Sequence, residues 1–336
     1  MCGTAIAALQ DYHLCSIDIS HAYLNGEMDC DIYIEQPEGF CKGDPRQTVC
    51  LLQKSIYGTK QGGNHWNQKM RSVLESLGFT QSYSDASIYI YVKDDVRVIL
   101  PVFVDDMTFA SKSAAAIEQL ILELSQYFKL RDLGATTQLL GIKIDRDCSK
   151  CSITISQHQY CLDILECFGM ADCKPISTPM QPNQRLSRAQ CPQSPADGGY
   201  LVKIGTGAVS WSSKLQSIVA LSTTEAEYIA AVSAGKEIRW MRNLLYEMGF
   251  TAPGPSVLRV DNQSVISVAK HPEHHGRMKQ LDLSWYWLRD VVHKEIIAPV
   301  FVPTNDQPAD ILTKALARPK VELFCRILGL GRRAGS

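Results

Sequence analysis

The segment that most constrains this chain is VRVILPVFVDDMTF, residues 96–109, rich in branched apolar residues except where Asp105 and Asp106 stand side by side. Side chains alternate faces along a strand, so adjacent carboxylates cannot both reach water unless the chain is turning. The pattern predicts two strands joined by a tight turn that carries the acids. Such a turn holds like charges close together, which is costly without a cation. Leu14–Ile19 reads as another strand, with Asp18 near its end. Three carboxylates at strand ends could hold two magnesium ions, an arrangement that activates an attacking oxygen and stabilises a leaving one in phosphoryl transfer. Taken alone, a pair of adjacent acids is more often a solvated turn.

Composition sets the frame. Hydrophobic residues make up 45% of the 336 and charged residues 21%, a balance that allows a core in each of two ordinary domains. The formal net charge of −1 excludes a molecule that is basic overall, so phosphate contacts must come from local patches. One such patch is the segment 54–71. It carries Lys54, Lys60, Lys69 and Arg71 with no acid, and Tyr57 and Trp66 are interleaved, which suits a surface that tracks a nucleic-acid strand. The start has no basic leader before a long apolar run, and no stretch approaches the roughly 18 apolar residues of a membrane span. An intracellular place, cytoplasmic or nuclear, with no membrane partner is the expectation. The twelve cysteines are scattered and are expected to be reduced, mostly buried or incidental thiols.

Along the chain, residues 114–128 place Ile117, Leu120, Ile121, Leu124 and Phe128 at helical spacing. Residues 139–145 and 151–156 look like a hairpin, with Cys148 and Cys151 flanking its turn rather than holding a metal. Residues 174–199 contain five of the fifteen prolines and no apolar period, and read as a linker. Beyond it, strand-like 207–211 precedes a long helix, 223–249. Strand 257–260, helices 263–269 and 286–292 and strand 298–302 follow, an alternation that argues for α/β architecture. Pro101 interrupts the strand leading to Asp105, which predicts a sheet edge or a bulge there. His271, His274 and His275 with Glu273 surround a proline and read as a loop, not a metal site.

The ordered segments IDISHAYLNGEMDCDIYIEQPEGF, VCLLQKSIYGTKQGGNHWNQKM, SDASIYI, VFVDDMTFAS and LRDLGATTQLLGIKI resemble the reverse transcriptase of copia-type LTR retrotransposons. The resemblance implies that Asp18 and Asp105 are the principal metal ligands and that Asp106 completes the catalytic set. It implies that Tyr23 is the aromatic that selects deoxynucleotides and that Gln61 belongs to the loop near the incoming nucleotide. Gly62-Gly63-Asn64 stands where such enzymes commonly carry Ala-Pro-Arg. The segments TGAVSWSSKLQSIVALSTTEAEYIAA, RVDNQSVISVAK and VPTNDQPADILTK are similar to the ribonuclease H domain of the same elements. That likeness assigns Glu227, Asp261 and Asp310 as its acids. A further acid belongs on the first strand of that domain, just before a stretch matching Cys191-Pro192, and here QRLSRAQCP contains none. Asp197 is nearby but out of register.

The expectation is therefore a fold of mixed α/β and α+β class. Residues 1–173 form a reverse transcriptase palm with partial fingers, an antiparallel sheet with helices and an acidic hairpin. Residues 174–199 are a linker at an apparent deletion junction, and 200–336 an incomplete ribonuclease H-like domain lacking its first strand, with thumb and connection segments also missing. The implied activity is RNA-directed DNA polymerisation by two-metal nucleotidyl transfer with Mg²⁺ or Mn²⁺. Its partners would be an RNA or DNA template-primer, deoxynucleotide triphosphates and other polyprotein segments that complement the lost parts. An expectation of a different class is a decayed, non-catalytic transposon fragment with weak nucleic-acid affinity.

Overall fold

The computed structural model describes residues 2–44, 48–179, 197–216, 222–270 and 282–331. The chain divides into two units, Ile6–His158 and a second made of Met1–Ala5 with Gln159–Ser336. Helix α1 (Cys2–Leu9) opens the chain. The first unit then contains β1 (His13–Ile19), β2 (Tyr33–Glu35), β3 (Val49–Leu51), α2 (Gly62–Ser76), β4 (Phe79–Gln81) and β5 (Ile88–Lys93). After these come β6 (Val96–Phe103), β7 (Asp106–Ser111), α3 (Ala114–Leu124), β8 (Leu130–Ala135), β9 (Gln138–Leu139), β10 (Ile142–Asp147) and β11 (Ser152–Ser156).

The expected strand pair around the acids is present: Val104 and Asp105 form the turn between β6 and β7. The central sheet has six strands in the order β4-β5-β6-β7-β1-β8, every neighbouring pair antiparallel. Helices α2 and α3 cover it because each has one apolar stripe. Trp66, Met70, Val73 and Leu74 of α2, and Ile117, Leu120, Ile121 and Leu124 of α3, are buried with Ile17, Tyr89, Leu100, Met107 and Phe109 of the sheet. Ser113 starts α3 by accepting a hydrogen bond from the Ala116 N–H. Ser16 Oγ lies 3.2 Å from Thr108 Oγ1 and 2.8 Å from Thr136 Oγ1, so the polar groups buried in the sheet satisfy one another.

Three expectations change. Pro101 lies neither at an edge nor at a bulge. It sits inside β6 opposite Ile88, between two other strands. The pairing of β6 with β7 keeps its register but lapses at Leu100 and Pro101, where the imino acid offers no N–H. The hairpin strand starts at Ile142, not at 139. Leu140 and Gly141 both take left-handed φ, 49° and 76°, and turn the chain between β9 and β10. No disulfide joins the described cysteines, and none of them is buried, whereas mostly buried or incidental thiols were expected.

The second unit includes all but the first residue of α4 (His158–Cys167). It holds β12 (Asp197–Ile204), β13 (Gly207–Leu215), α5 (Thr223–Glu247), β14 (Ser256–Val260), α6 (Gln263–Lys270), α7 (Asp282–His293), β15 (Ile297–Phe301) and α8 (Arg318–Ile327). Strand β12 begins inside the stretch expected to be linker, because Gly198 and Gly199 contribute no side chains to an alternating pattern. Antiparallel β12–β13 and parallel β14–β15 are separate two-stranded sheets. Helix α5 is capped by Ser222, which accepts from the Glu225 N–H. Its buried residues Tyr228, Val232 and Ile238 pack with Leu258, Val260, Leu288, Val291 and Ile297. Among the described residues no helix is long and apolar enough to cross a membrane.

Candidate active site at the acidic turn

Asp18 on β1 and Asp106 on β7 are directly opposed in the antiparallel ladder. Asp105, the second turn residue, is tied to the same point, since the Ile19 N–H donates to its backbone carbonyl at 2.9 Å. The three acids thus meet at adjoining strand ends, as the sequence predicts. Asp18 and Asp105 are half-buried and Asp106 is exposed. The Asp106 carboxyl is nevertheless pushed above the usual carboxylate range, by the protein mass around it first and then by the charges of Asp105 and Asp18.

Two aromatics frame the acids. The Tyr57 hydroxyl donates to Asp105 Oδ2 at 3.3 Å. Its pKa is raised by its surroundings, by the Asp105 charge and hydrogen bond, and by Tyr23 and Asp18. Tyr23, in the short 3₁₀ turn Ala22–Asn25, meets Tyr57 edge-on with ring centroids 4.2 Å apart. The sequence marks Tyr57 only as an aromatic in a basic stretch, and its bond to Asp105 comes from the tertiary fold. Gln61 directly precedes α2. A Cβ at Gly62 would lie 2.5 Å from Thr59 Oγ1 and 2.9 Å from the Ile56 carbonyl, so the start of α2 is packed around a residue without a side chain.

The turn itself is under strain. Val104 has φ 56°, a left-handed conformation that a β-branched residue rarely adopts. The indole Nε1 of Trp66 donates to its carbonyl at 2.8 Å.

The four cations of segment 54–71 do not act alike. Lys69 pairs with Glu27 at 3.7 Å and Arg71 with Glu75 at 2.7 Å, both acids lying outside the segment. Among the described residues Lys54 and Lys60 form no salt bridge.

In the second unit Glu227 of α5, Asp261 just beyond β14 and Asp310 of the 3₁₀ turn Pro308–Leu312 line one cavity. Burial raises the Glu227 pKa most. A hydrogen bond with Asn262 and the Lys314 charge oppose that rise, while Asp261 and Asp310 add to it. Asp310 is buried and accepts from Lys314 Nζ at 2.8 Å. Glu227 Oε2 is buried with no hydrogen-bond partner. Asn262 and Lys314 went unmarked in the sequence, although each lies within a motif that carries one of the acids. Asp197 opens β12. The histidine cluster at 271–275 and Cys191-Pro192 lie outside the described residues.

The family resemblance implies a divalent metal ion. Carboxylate oxygens are the right donors for a hard cation, and the charges of Asp105 and Asp18 add to the burial that raises Asp106. Among the described residues no three His, Cys, Asp or Glu side chains already have the spacing of a metal cage. The donor chemistry fits; the side chains are neighbours rather than a preformed cage.

A sequence profile described as reverse transcriptase (RNA-dependent DNA polymerase) matches residues 2–182. The chain is 31% identical to a retrovirus-related Pol polyprotein from transposon TNT 1-94 of Nicotiana tabacum, with 97% of this chain and 31% of that protein covered. It is 27% identical to the corresponding polyprotein of transposon RE1 from Arabidopsis thaliana, over 97% of this chain and 28% of that one. Among solved structures, the foamy viral protease-reverse transcriptase in complex with an RNA/DNA hybrid aligns at TM-score 0.40 and 12% identity, covering 87% of this chain and 44% of that one. The chain therefore spans about a third of the length of these curated relatives. The two polyprotein alignments run over 418 and 412 positions, although 97% of 336 residues is only about 326. Roughly ninety positions of the relatives inside the matched span thus have no counterpart here. With its profile match over more than half its length, the chain belongs to the reverse transcriptase (RNA-dependent DNA polymerase) family, as a stretch of a transposon Pol polyprotein.

Proposed function

We propose that the acidic turn is the nucleotidyl-transfer site of an RNA-directed DNA polymerase palm within residues 1–173, followed by a linker and a partial ribonuclease H-like domain over 200–336. The observation that carries this reading is the cross-strand opposition of Asp18 and Asp106 beside Asp105. Asp18 and Asp105 are the principal ligands for Mg²⁺ or Mn²⁺, and Asp106 completes the set. A bound divalent ion there would assist loss of the primer hydroxyl proton and steady the charge on the α-phosphate. Tyr23 screens the sugar of the incoming deoxynucleotide and Gln61 borders its site. Lys54, Lys60, Lys69 and Arg71 follow the template-primer.

The shortfall of roughly ninety positions favours a second statement about the isolated chain. It binds nucleic acid weakly and extends a primer feebly or not at all, because misplacing reactants by about 1 Å can already cost on the order of 100-fold. Primer extension by the full chain, with Mg²⁺ and then Mn²⁺, tests both statements. Trace synthesis lost in Asp105→Asn is expected. Synthesis indifferent to Asp105→Asn would sink the site assignment, and robust processive synthesis abolished by it would sink the claim of feebleness. For the second unit, no cleavage of a labelled RNA–DNA hybrid is expected. Cleavage by wild type that disappears in Asp261→Asn would mean another acid, Asp197 first, completes that site.

A further inference from the structure

We propose that the cavity between β12 and β14 is a docking slot for one extended peptide strand supplied by a separate polypeptide. The cavity has a volume of about 740 Å³. Every residue from 199 to 205 on one side and from 256 to 261 on the other contributes to its wall. Among the described residues β12 pairs only with β13, and β14 only with β15. The Ser256 N–H donates to Ile296, and the Val260 carbonyl accepts from Val302, so the even-numbered residues of β14 point their backbone groups at β15. Val257 and Arg259 consequently turn theirs outward. The Gln307 side chain reaches the Arg259 carbonyl at a long 3.3 Å, a weak substitute for a ladder bond.

The cavity runs along both strands, since residues 199–205 and 256–261 line it throughout, and a five-residue strand such as β14 is about 17 Å long. The floor comes from α5, where Ala226, Ala230, Ala231 and Ala234 leave room for larger apolar side chains above them. The wall also holds Glu227 Oε2, a buried acceptor without a donor. Among the described residues these two strand edges have no ladder partner, and with the unmet acceptor they call for backbone N–H and C=O groups at ladder spacing, which an extended peptide offers and a compact ligand does not.

The occupant is a strand of alternating apolar residues from another molecule. Relatives keep roughly ninety further positions inside the matched span that have no counterpart there in this chain, and a second polypeptide carrying such sequence is the source of the strand. The inference rests on the geometry of the second unit and not on the polymerase assignment.

The probe is a labelled synthetic peptide of about six residues alternating valine with threonine, with a lysine at each end for solubility. Its control has prolines in place of the threonines, which removes the ladder donors but keeps the apolar side chains. Anisotropy with the full chain is expected to show saturable binding of the first peptide and at least tenfold weaker binding of the control. Hydrogen exchange should slow at amides in 199–205 and 256–261 when the peptide is added. Ala230→Phe, filling the floor, is expected to weaken binding at least tenfold. No binding, or equal binding of the proline control, overturns the proposal without needing any variant to fold. Concentration-dependent dimerisation that Ala230→Phe abolishes would overturn it in favour of a second copy as occupant. Primer extension indifferent to Asp105→Asn, with peptide binding intact, would refute the polymerase reading alone.

Discussion

Trp66 on α2 donates its indole N–H to the carbonyl of Val104, so a helix far away in sequence holds the strained turn that delivers Asp105. Trp66→Phe keeps most of the buried ring but leaves that carbonyl without its donor. A loss of about 1–2 kcal/mol in urea unfolding is expected, together with a fall in any extension activity. Unchanged stability would show that the turn holds itself.

Gly62 and Gly63 differ in what a methyl group would meet. At Gly62 it would press on the Ile56 carbonyl and Thr59 Oγ1, whereas at Gly63 it would touch the Tyr23 ring at an ordinary 3.6 Å. Gly62→Ala should cost on the order of 1–3 kcal/mol. Gly63→Ala should be neutral or stabilising by up to about 1 kcal/mol through helix propensity. Thermal melts of the two variants side by side give the comparison.

Tyr23→Val removes the ring that packs against Tyr57 beside the acids. In whatever synthesis Mn²⁺ supports, ribonucleotide use relative to deoxynucleotide should rise on the order of tenfold, the size of a lost steric contact. An unchanged sugar preference would make Tyr23 a packing residue only.

The ion pairs of Lys69 and Arg71 divide the basic segment. Binding of single-stranded nucleic acid should weaken with salt, with each phosphate contact adding about 0.7 to the log–log slope. Replacing Lys54 and Lys60 with alanine should lower that slope by about 1.4. Replacing Lys69 and Arg71 should change it less, because Glu27 and Glu75 already neutralise them. Equal effects from the two pairs would show that both bridges open on binding.

The raised Asp106 and Glu227 carboxyls set a pH dependence. An acid whose pKa is raised by folding binds its proton more tightly in the folded state. Stability is then greatest below the ordinary carboxylate range, falls as pH rises toward the raised folded value, and levels off above it. Asp106→Asn should therefore stabilise the chain at about pH 7 and leave it unchanged near pH 3. Denaturation midpoints at the two pH values decide this, and a variant destabilised at neutral pH would contradict the cost that burial, and then Asp105 and Asp18, place on a charged Asp106.

Much of the first unit was legible in the sequence because its signals are local. The strand–turn–strand around Asp105 and the α3 stripe of Ile117, Leu120, Ile121 and Leu124 each follow from spacing within about a dozen residues. Strand β12 was missed because Gly198 and Gly199 erase the alternation that would announce it. Pro101 was assigned to an edge or a bulge because a one-dimensional rule could not foresee that β7 would forgo pairing opposite it.

The order of apolar and acidic residues, by itself, determined which segments become strands and helices and which acids stand at their ends. Only the tertiary structure decided that Asp18 faces Asp106, that Tyr57 reaches Asp105, that Glu27 and Glu75 neutralise Lys69 and Arg71, and that β12 and β14 leave a cavity between them. Each of these depends on register and on contacts between residues distant in sequence. Strand pairing and side-chain packing set such contacts, and no periodicity along the chain encodes them.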